Sequence, residues 1–307
     1  MYSSPAVSDG KVYIGSEDGR VYCLDASTGA KIWNSTTGNT HSSPAIANGR
    51  VYVGSYDYRV YCLDASTGAK IWNSTTGNTM SSPAVAGGNV YVGSDGGKVY
   101  CLDASTGGQI WNYTTGNHVY SSPAVAGGNV YVGSDDHNVY CLDASTGAKI
   151  WSYATELPVL SSPAIAGDNV YVGSDDNKVY CLNASTGAKI WSYTTENTVQ
   201  SSPAVAGGNV YVGSDDAKIY CLDASTGAKI WSYLTGDRVV SSPAIVDGVV
   251  YIGSYDGNVY AFGLVIPEFP TTIASTLTLI TISITMIYAK KKFNLSNSTY
   301  NSAHGCS

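Results

Sequence analysis

Apolar residues in this chain come in short bursts, each closed off by turn formers. Residues 201–236 read SSPAVAGGNVYVGSDDAKIYCLDASTGAKIWSYLTG. Four runs in this stretch concentrate or alternate Val, Ile, Tyr, Cys, Leu and Trp, and every gap holds Gly, Asp, Ser or Thr. Such runs predict β-strands at Ser202–Ala206, Asn209–Ser214, Lys218–Asp223 and Lys229–Tyr233. The turns fall at Gly207-Gly208, Asp215–Ala217 and Ala224–Gly227, where glycine supplies the positive φ that tight hairpins need. The stretch shows no apolar i, i+3, i+4, i+7 stripe, so it predicts no helix.

The same pattern recurs along the chain. Ser-Ser-Pro places its proline at Pro5, Pro44, Pro83, Pro123, Pro163, Pro203 and Pro243, in steps of 39 or 40 residues, and Trp33, Trp72, Trp111, Trp151, Trp191 and Trp231 keep the same time. Four strands in a period near 40 match the blade of a β-propeller. A sheet of that size cannot bury both faces alone, but neighbours around an axis cover each other. A straight solenoid would need polar capping repeats, whereas the first and last units resemble the middle ones. The expectation is an all-β, seven-bladed propeller over residues 1–263, closed into a ring, with four-stranded antiparallel blades. The seventh unit predicts strands at Ser242–Val246, Val249–Ser254 and Asn258–Gly263 but has no Lys-Ile-Trp run, so its blade should have three strands. Small Ser-Ser-Pro-Ala-Val or Ser-Ser-Pro-Ala-Ile segments suit the crowded hub, and the tryptophans suit the wide rim.

The segment Cys221-Leu222-Asp223-Ala224-Ser225-Thr226-Gly227-Ala228-Lys229-Ile230-Trp231 resembles the tryptophan-docking motif of pyrroloquinoline-quinone-like propeller repeats, and six full copies occur. The resemblance implies that the six tryptophans dock each blade on its neighbour. It covers residues 3–263. The family includes quinone dehydrogenases and non-catalytic scaffolds, among them the lipoprotein propeller of the bacterial outer-membrane assembly machinery, which acts through protein contacts. Many of the dehydrogenases place a vicinal cysteine pair over the quinone. No Cys-Cys pair is present here, and Ser-Ser-Pro-Ala offers no titratable side chain for acid–base work. No cofactor, no metal and no catalysis are expected.

Composition narrows the options further. Only 13% of the 307 residues are charged, with 16 Lys and Arg against 23 Asp and Glu, so a basic nucleic-acid interface is excluded. Cys23, Cys62, Cys101, Cys141, Cys181 and Cys221 share one repeat position. Equivalent positions on stacked sheets lie about 10 Å apart, beyond the roughly 7 Å reach of a disulfide, so buried free thiols are expected. The aspartates at Asp25, Asp64, Asp103, Asp143 and Asp223, with Asn183 in the fifth unit, are expected to brace a turn through backbone N–H groups. Pairs such as Asp135-Asp136 and Asp175-Asp176 read as turn formers, and His41, His118, His137 and His304 lack metal-ligand spacing.

Variation among units points to one candidate surface. Turns between first and second and between third and fourth strands are nearly copied; the other two classes of loop differ and emerge on one face of a propeller. Residues preceding Ser-Ser-Pro run Tyr2, His41, Met80, Tyr120, Leu160, Gln200 and Val240, and the second-to-third turns add Tyr56, Tyr58, His137 and Tyr255. Tyr56, Tyr58, Tyr255, His41, Tyr120 and His137 are the candidate binding residues, since Tyr is enriched in recognition surfaces. The tyrosines of units two and seven, flanking unit one, are expected to form one aromatic patch.

Beyond Gly263 the character of the chain changes. Residues 264–270 form a linker with Pro267-Glu268-Phe269, residues 271–289 carry no charge, and Lys290-Lys291-Lys292 opens a basic, polar tail over 290–307. Nineteen uncharged residues before lysines fit a transmembrane helix with the tail cytoplasmic and the propeller outside. Eight Ser or Thr and the partial alternation of Leu277–Met286 also fit a strand. The arrangement resembles the PEF-type C-terminal sorting signals of archaeal surface proteins, which implies processing at the envelope by a membrane transpeptidase. Export would need a leader, so a leader and a closing strand are expected upstream of Met1. The resulting expectation is a monomeric, non-catalytic scaffold at the cell surface that binds an envelope protein or glycan. A quinone-dependent oxidoreductase and a polysaccharide-binding envelope protein are the alternatives.

Overall fold

The computed structural model describes residues 3–263, which form seven antiparallel sheets, one per repeat, with strand order following the chain in each. Six sheets have four strands and the seventh has three, as the repeats predict. No helix occurs among the described residues. The transmembrane helix expected over 271–289, the linker with its Pro-Glu-Phe motif and the basic tail lie outside them. We name the strands of each blade A to D from the hub outward. In the sixth blade they are Ala204–Ala206, Asn209–Gly213, Lys218–Asp223 and Lys229–Leu234.

Strand A is two residues shorter than its alternation predicts, and the reason lies in its hydrogen bonds. Pro203 has no N–H, and the Ser202 N–H is spent outside its own sheet, on Ser242 Oγ of the next blade at 3.1 Å. The same bond links Ser4 to Ser43, Ser43 to Ser82, Ser82 to Ser122, Ser122 to Ser162 and Ser162 to Ser202, each at 2.9 Å. The preceding serine of each pair works within its blade: Ser42 Oγ accepts from Gly54 N at 3.1 Å, and the other six units repeat the bond. Ser-Ser-Pro is therefore a hub clamp, with one hydroxyl bracing its own sheet and the next tying neighbouring sheets.

Blades are joined further out by an indole. Trp pairs with Cys across strands C and D, as Cys221 with Trp231, and the register then slips so that Leu222 faces Lys229. This bulge leaves Ile230 half-exposed and turns the tryptophan toward the neighbouring blade. Trp33 Nε1 donates to Ala65 O of the next blade at 3.1 Å, and Tyr13 OH donates to the same carbonyl at 3.0 Å. The next glycine turn takes the indole face: a Cβ on Gly68, whose φ is +72, would lie 2.6 Å from Trp33. The carbonyls of Ala104, Ala144, Ala184 and Ala224 receive the following tryptophans at 2.9–3.1 Å. Tyr13, Val21, Cys23 and Trp33 thus pack on Val51, Val53, Tyr61 and Leu63, and that cluster is the repeating core.

Five such interfaces join the first six blades, and at the sixth junction Trp231 packs instead on Phe262 of blade seven, ring centroids 5.0 Å apart. The expectation of a closed ring meets a difference at the seventh. Among the described residues no bond from Ser242 to Ser4 completes the serine chain, and the facing surfaces of the last and first blades are exposed. Tyr251 is 42% exposed, whereas its six counterparts are at 3% or less. Among the described residues, the joint that links successive blades is not repeated between blades seven and one.

The six cysteines among the described residues are free and fully buried, as expected. Burial pushes the thiols of Cys62, Cys101, Cys141, Cys181 and Cys221 up to about 11. A thiol-reactive dye at pH 8 should leave these five unlabelled in the native protein and label them after unfolding. The Trp111→Ala substitution removes one inter-blade indole and its bond to Ala144. It should lower the unfolding free energy by about 3–5 kcal/mol, read from urea denaturation.

Candidate functional site

The B–C turns and D–A connections do share one face, held there by backbone bonds between blades. Tyr56 N donates to Asn39 O, Asp95 N to Asn78 O, Asp135 N to His118 O, Asp175 N to Pro158 O, Asp215 N to Thr198 O and Tyr255 N to Arg238 O, at 2.9–3.0 Å. Each second-to-third turn is thereby pinned to the connection that enters its blade. Backbone of near-constant shape carries side chains that differ from blade to blade.

The paired aspartates of these turns, alike in sequence, have different tasks. Asp136, Asp176 and Asp216 build structure: each accepts the hydroxyl of a strand-C tyrosine (Tyr140, Tyr180, Tyr220) at 2.6–2.7 Å and a backbone N–H of the adjacent connection. Their predecessors, Asp135, Asp175 and Asp215, with Asp95 at the same station of blade three, point elsewhere. Asp95, Asp135 and Asp215 each leave Oδ1 buried without a hydrogen-bond partner. Asp175 Oδ1 accepts from Gln200 Nε2 at 3.2 Å. Desolvation raises the carboxyls of Asp95, Asp135 and Asp175, and like charge adds to it: Asp95 and Asp175 act on Asp135, and Asp215 acts on Asp175. Four consecutive blades therefore present a row of under-solvated carboxylates on the variable face. Reading these pairs as turn formers only was half right.

Of the predicted binding residues, His41 and Tyr56 are brought together. His41 Nε2 lies 2.8 Å from Glu17 Oε1, its Nδ1 lies 2.8 Å from Tyr56 OH, and the two rings meet edge-on at 4.6 Å. Tyr120 packs on His118 at 5.4 Å, and Arg238 sits 4.3 Å over the Tyr255 ring. Tyr58 and His137 occupy the third turn position, both at φ 70, in the left-handed region that most side chains avoid. Tyr58 and Tyr255 are 61% and 58% exposed. Sequence reasoning missed Glu17, which completes the His41–Tyr56 chain. It also missed the separation of the two aspartates. A cue was available: Glu17, Tyr56, Asp95, Asp135, Asp175, Asp215 and Tyr255 all follow Gly-Ser directly.

Residues 2–183, more than half the chain, match the family model described as the β-propeller of beta-alanine-activating enzyme. The chain belongs to that propeller family. Residues 176–264 match the model described as outer membrane protein assembly factor BamB, in keeping with PQQ-like repeats. None of the curated proteins matches the sequence. Among solved structures, BamB from Moraxella catarrhalis is similar at 23% identity, with a TM-score of 0.75 over 85% of this chain and 84% of that one. The computationally designed Ika8 protein is similar at 19%, with a TM-score of 0.77 over 85% and 83%. A europium-containing methanol dehydrogenase is similar at 15%, with a TM-score of 0.68 over 84% and 72%. At these identities the likeness is one of fold.

A propeller of this family invites a test of whether a quinone and its metal would fit. The hub serines are engaged in the clamp, the cysteines are buried on strand C, and no cluster of three or more His, Cys, Asp or Glu among the described residues suits a metal ion. The residues present do not fit the group. The copied turns at the opposite end of the blades are bracing, as expected: Asp25 Oδ1 accepts from Ser27 N at 3.0 Å and Thr28 N at 2.8 Å, and Asn183 repeats the arrangement. Hydroxyl and backbone donors hold Asp25, Asp103, Asp143 and Asp223 down at about 2.

The two sets of carboxylates have opposite pH signatures. Those held near 2 stabilise the fold above their ordinary 3.8, and that contribution is lost as pH falls from there toward about 2. Asp95, Asp135 and Asp175, raised in the fold, bind protons more readily folded than unfolded, so their contribution improves as pH falls toward 3.8. Asp135→Asn should therefore stabilise the protein at pH 7. The gain should shrink on acidification, in thermal melts recorded from pH 7 to 4.

Proposed function

We propose that the protein is a non-catalytic binding scaffold of the cell surface that engages an envelope protein or glycan through the face carrying the B–C and D–A loops. One observation carries this: most of the chemical variety among near-identical blades is gathered on that face, while the hub hydroxyls are consumed in bracing each blade and tying it to the next. Exposed Tyr58 and Tyr255, the Glu17–His41–Tyr56 chain and the row of under-solvated carboxylates suit recognition. Tyrosine offers apolar area with a polar tip, and carboxylates poor in partners favour cationic groups of a partner. The likeness to BamB, an outer membrane protein assembly factor, supports a protein partner. The uncharged residues 271–289 ahead of three lysines support display on the outer side of a membrane.

A quinone-dependent oxidoreductase is the competing activity, favoured by the likeness to a methanol dehydrogenase fold and opposed by the donor set. Titration with pyrroloquinoline quinone and calcium should give no retained absorbance after gel filtration. The combined Tyr56→Ala, Tyr58→Ala and Tyr255→Ala variant should keep the wild-type melting profile. Its binding to isolated envelope material should fall at least about tenfold, and unchanged binding would remove the proposal.

A further inference from the structure

Blade three breaks a rule that the other six blades keep. In each of those, the strand-C tyrosine donates its hydroxyl to an aspartate at the second position of the B–C turn. Tyr22–Asp18, Tyr61–Asp57 and Tyr260–Asp256 repeat the three pairs already described. Blade three has Gly96 at that position, so Tyr100 has no such acceptor. A second acid is missing from the same place. Lys178 and Lys218 on strand C pair with Glu156 and Glu196 of the connections entering their blades. Lys98 is their counterpart, but Gly77 follows Thr76 where Glu156 follows Thr155. No acid among the described residues pairs with Lys98.

The groups that remain converge on one notch between blades two and three. A Cβ on Gly77 would lie 3.4 Å from Ser94 Oγ, and one on Gly96 would lie 3.6 Å from it, so both glycines border the same hydroxyl. Ser94 is fully buried and its Oγ has no partner, whereas Ser55 Oγ donates to Thr37 O at 2.7 Å and Ser174 Oγ to Leu157 O at 3.1 Å. Tyr100 pairs with Val92 as Tyr180 does with Val172, so its hydroxyl approaches the second turn position from the same place. Lys98 stands two residues before Tyr100 on strand C (Lys98–Asp103) and shares its face. The facing wall is cut back too: Ser74 holds the strand-D position from which Tyr153 packs on Tyr180 at 5.6 Å. Blade one likewise has a serine there, Ser35, yet Tyr61, with Asp57 beside it, is buried, while Tyr100 is half-buried. The opening is therefore the work of Gly96. Its backbone lies outside the left-handed region and its Cβ would meet only Ser94 within 4 Å, so local conformation does not demand glycine.

We propose that this notch is a socket for a carboxylate, supplied by an acidic side chain of a protein partner docked on the loop face. Tyr100 OH donates to that carboxylate as its six counterparts donate to the chain's own aspartates. Ser94 Oγ offers a second donor from the buried floor, and Lys98 Nζ supplies the charge. The station suits an Asp or Glu side chain, because Asp176 and Glu156 are what occupy it in blade five. Asp95 places a like charge beside the notch, with its Oδ2 held by Asn78 Nδ2 at 2.7 Å. That charge does not close the site to an anion, since Asp135, Asp175 and Asp215 precede Asp136, Asp176 and Asp216 in the same way. The choice of a protein partner rests on the recognition role proposed for this face; the socket itself does not.

The probes are sodium acetate, N-acetylglutamate α-amide and sodium glucuronate, each titrated into the full-length chain at pH 7 and constant ionic strength and followed by saturation-transfer NMR. Saturable acetate binding is expected. Gly96→Asp, which supplies the carboxylate from within, and Tyr100→Phe, which removes only the hydroxyl, should each weaken it at least about tenfold. Gly96→Asp should melt at or above the wild-type temperature, because Tyr100 regains an acceptor; should it fail to fold, Tyr100→Phe decides the matter. Acetate binding that is absent, or equal in all three chains, would overturn the socket. N-acetylglutamate α-amide should bind more tightly than glucuronate, and the reverse order would replace the acidic side chain with an acidic glycan. Isolated envelope material separates the socket from the wider reading of the face. Gly96→Asp should reduce binding to it. Undiminished envelope binding by a Gly96→Asp chain that no longer takes acetate would overturn the partner's use of the socket. A wild-type chain that takes acetate but no envelope material would sustain the socket and defeat the reading of the loop face.

Discussion

Everything in this molecule hangs on an alanine carbonyl that accepts two donors from the blade before it. A four-stranded sheet of forty residues has no interior of its own, so its stability has to be borrowed from a neighbour. The Trp and Tyr that bury the largest apolar surfaces also carry polar tips, and a buried N–H or O–H without a partner is costly. Ala65 O takes both tips from blade one at once. The bulge in strand D aims the indole, and the turn glycine makes room for it at a φ few other residues adopt. The Asp of the same turn fixes the loop by accepting backbone N–H groups. Cys, Asp, Ala, Thr, Gly and Trp of the motif are thus parts of a single joint.

Much of this was legible before any coordinates. Strand alternation, the period, the three-stranded last blade and the free thiols all follow from residue pattern, because each depends on local chemistry repeated until it cannot be missed. The serine clamp was not legible. Ser-Ser-Pro reads as small residues at a crowded axis, and nothing in a sequence says that Ser202 N–H leaves its sheet for Ser242. That diversion is why strand A begins at Ala204 and not at Ser202.

The variable face shows the same limit more sharply. Asp135 and Asp136 are identical in type and adjacent in sequence, yet one turns into a hydrogen-bond cage and the other toward its like-charged neighbours on the next blades. Pattern gives the face, and only packing gives the division of labour. His41 and Tyr56 fell on the right surface by position alone. Their direct contact, extended to Glu17 through the other imidazole nitrogen of His41, links residues of two blades, a relation that a scan of one repeat at a time does not contain.

The likeness of the first five joints has an implication for how the chain assembles. Since blades one to six offer nearly the same two surfaces, a unit among them meeting the wrong neighbour during folding would find a partner about as good as the right one. Tether length is what forbids the error. The link from Leu234 to Ala244 leaves nine residues between strands, a reach of about 30 Å at full extension, so successive units find each other first simply because they are leashed. Fidelity of order in this protein is kept by short connectors rather than by distinctive contacts.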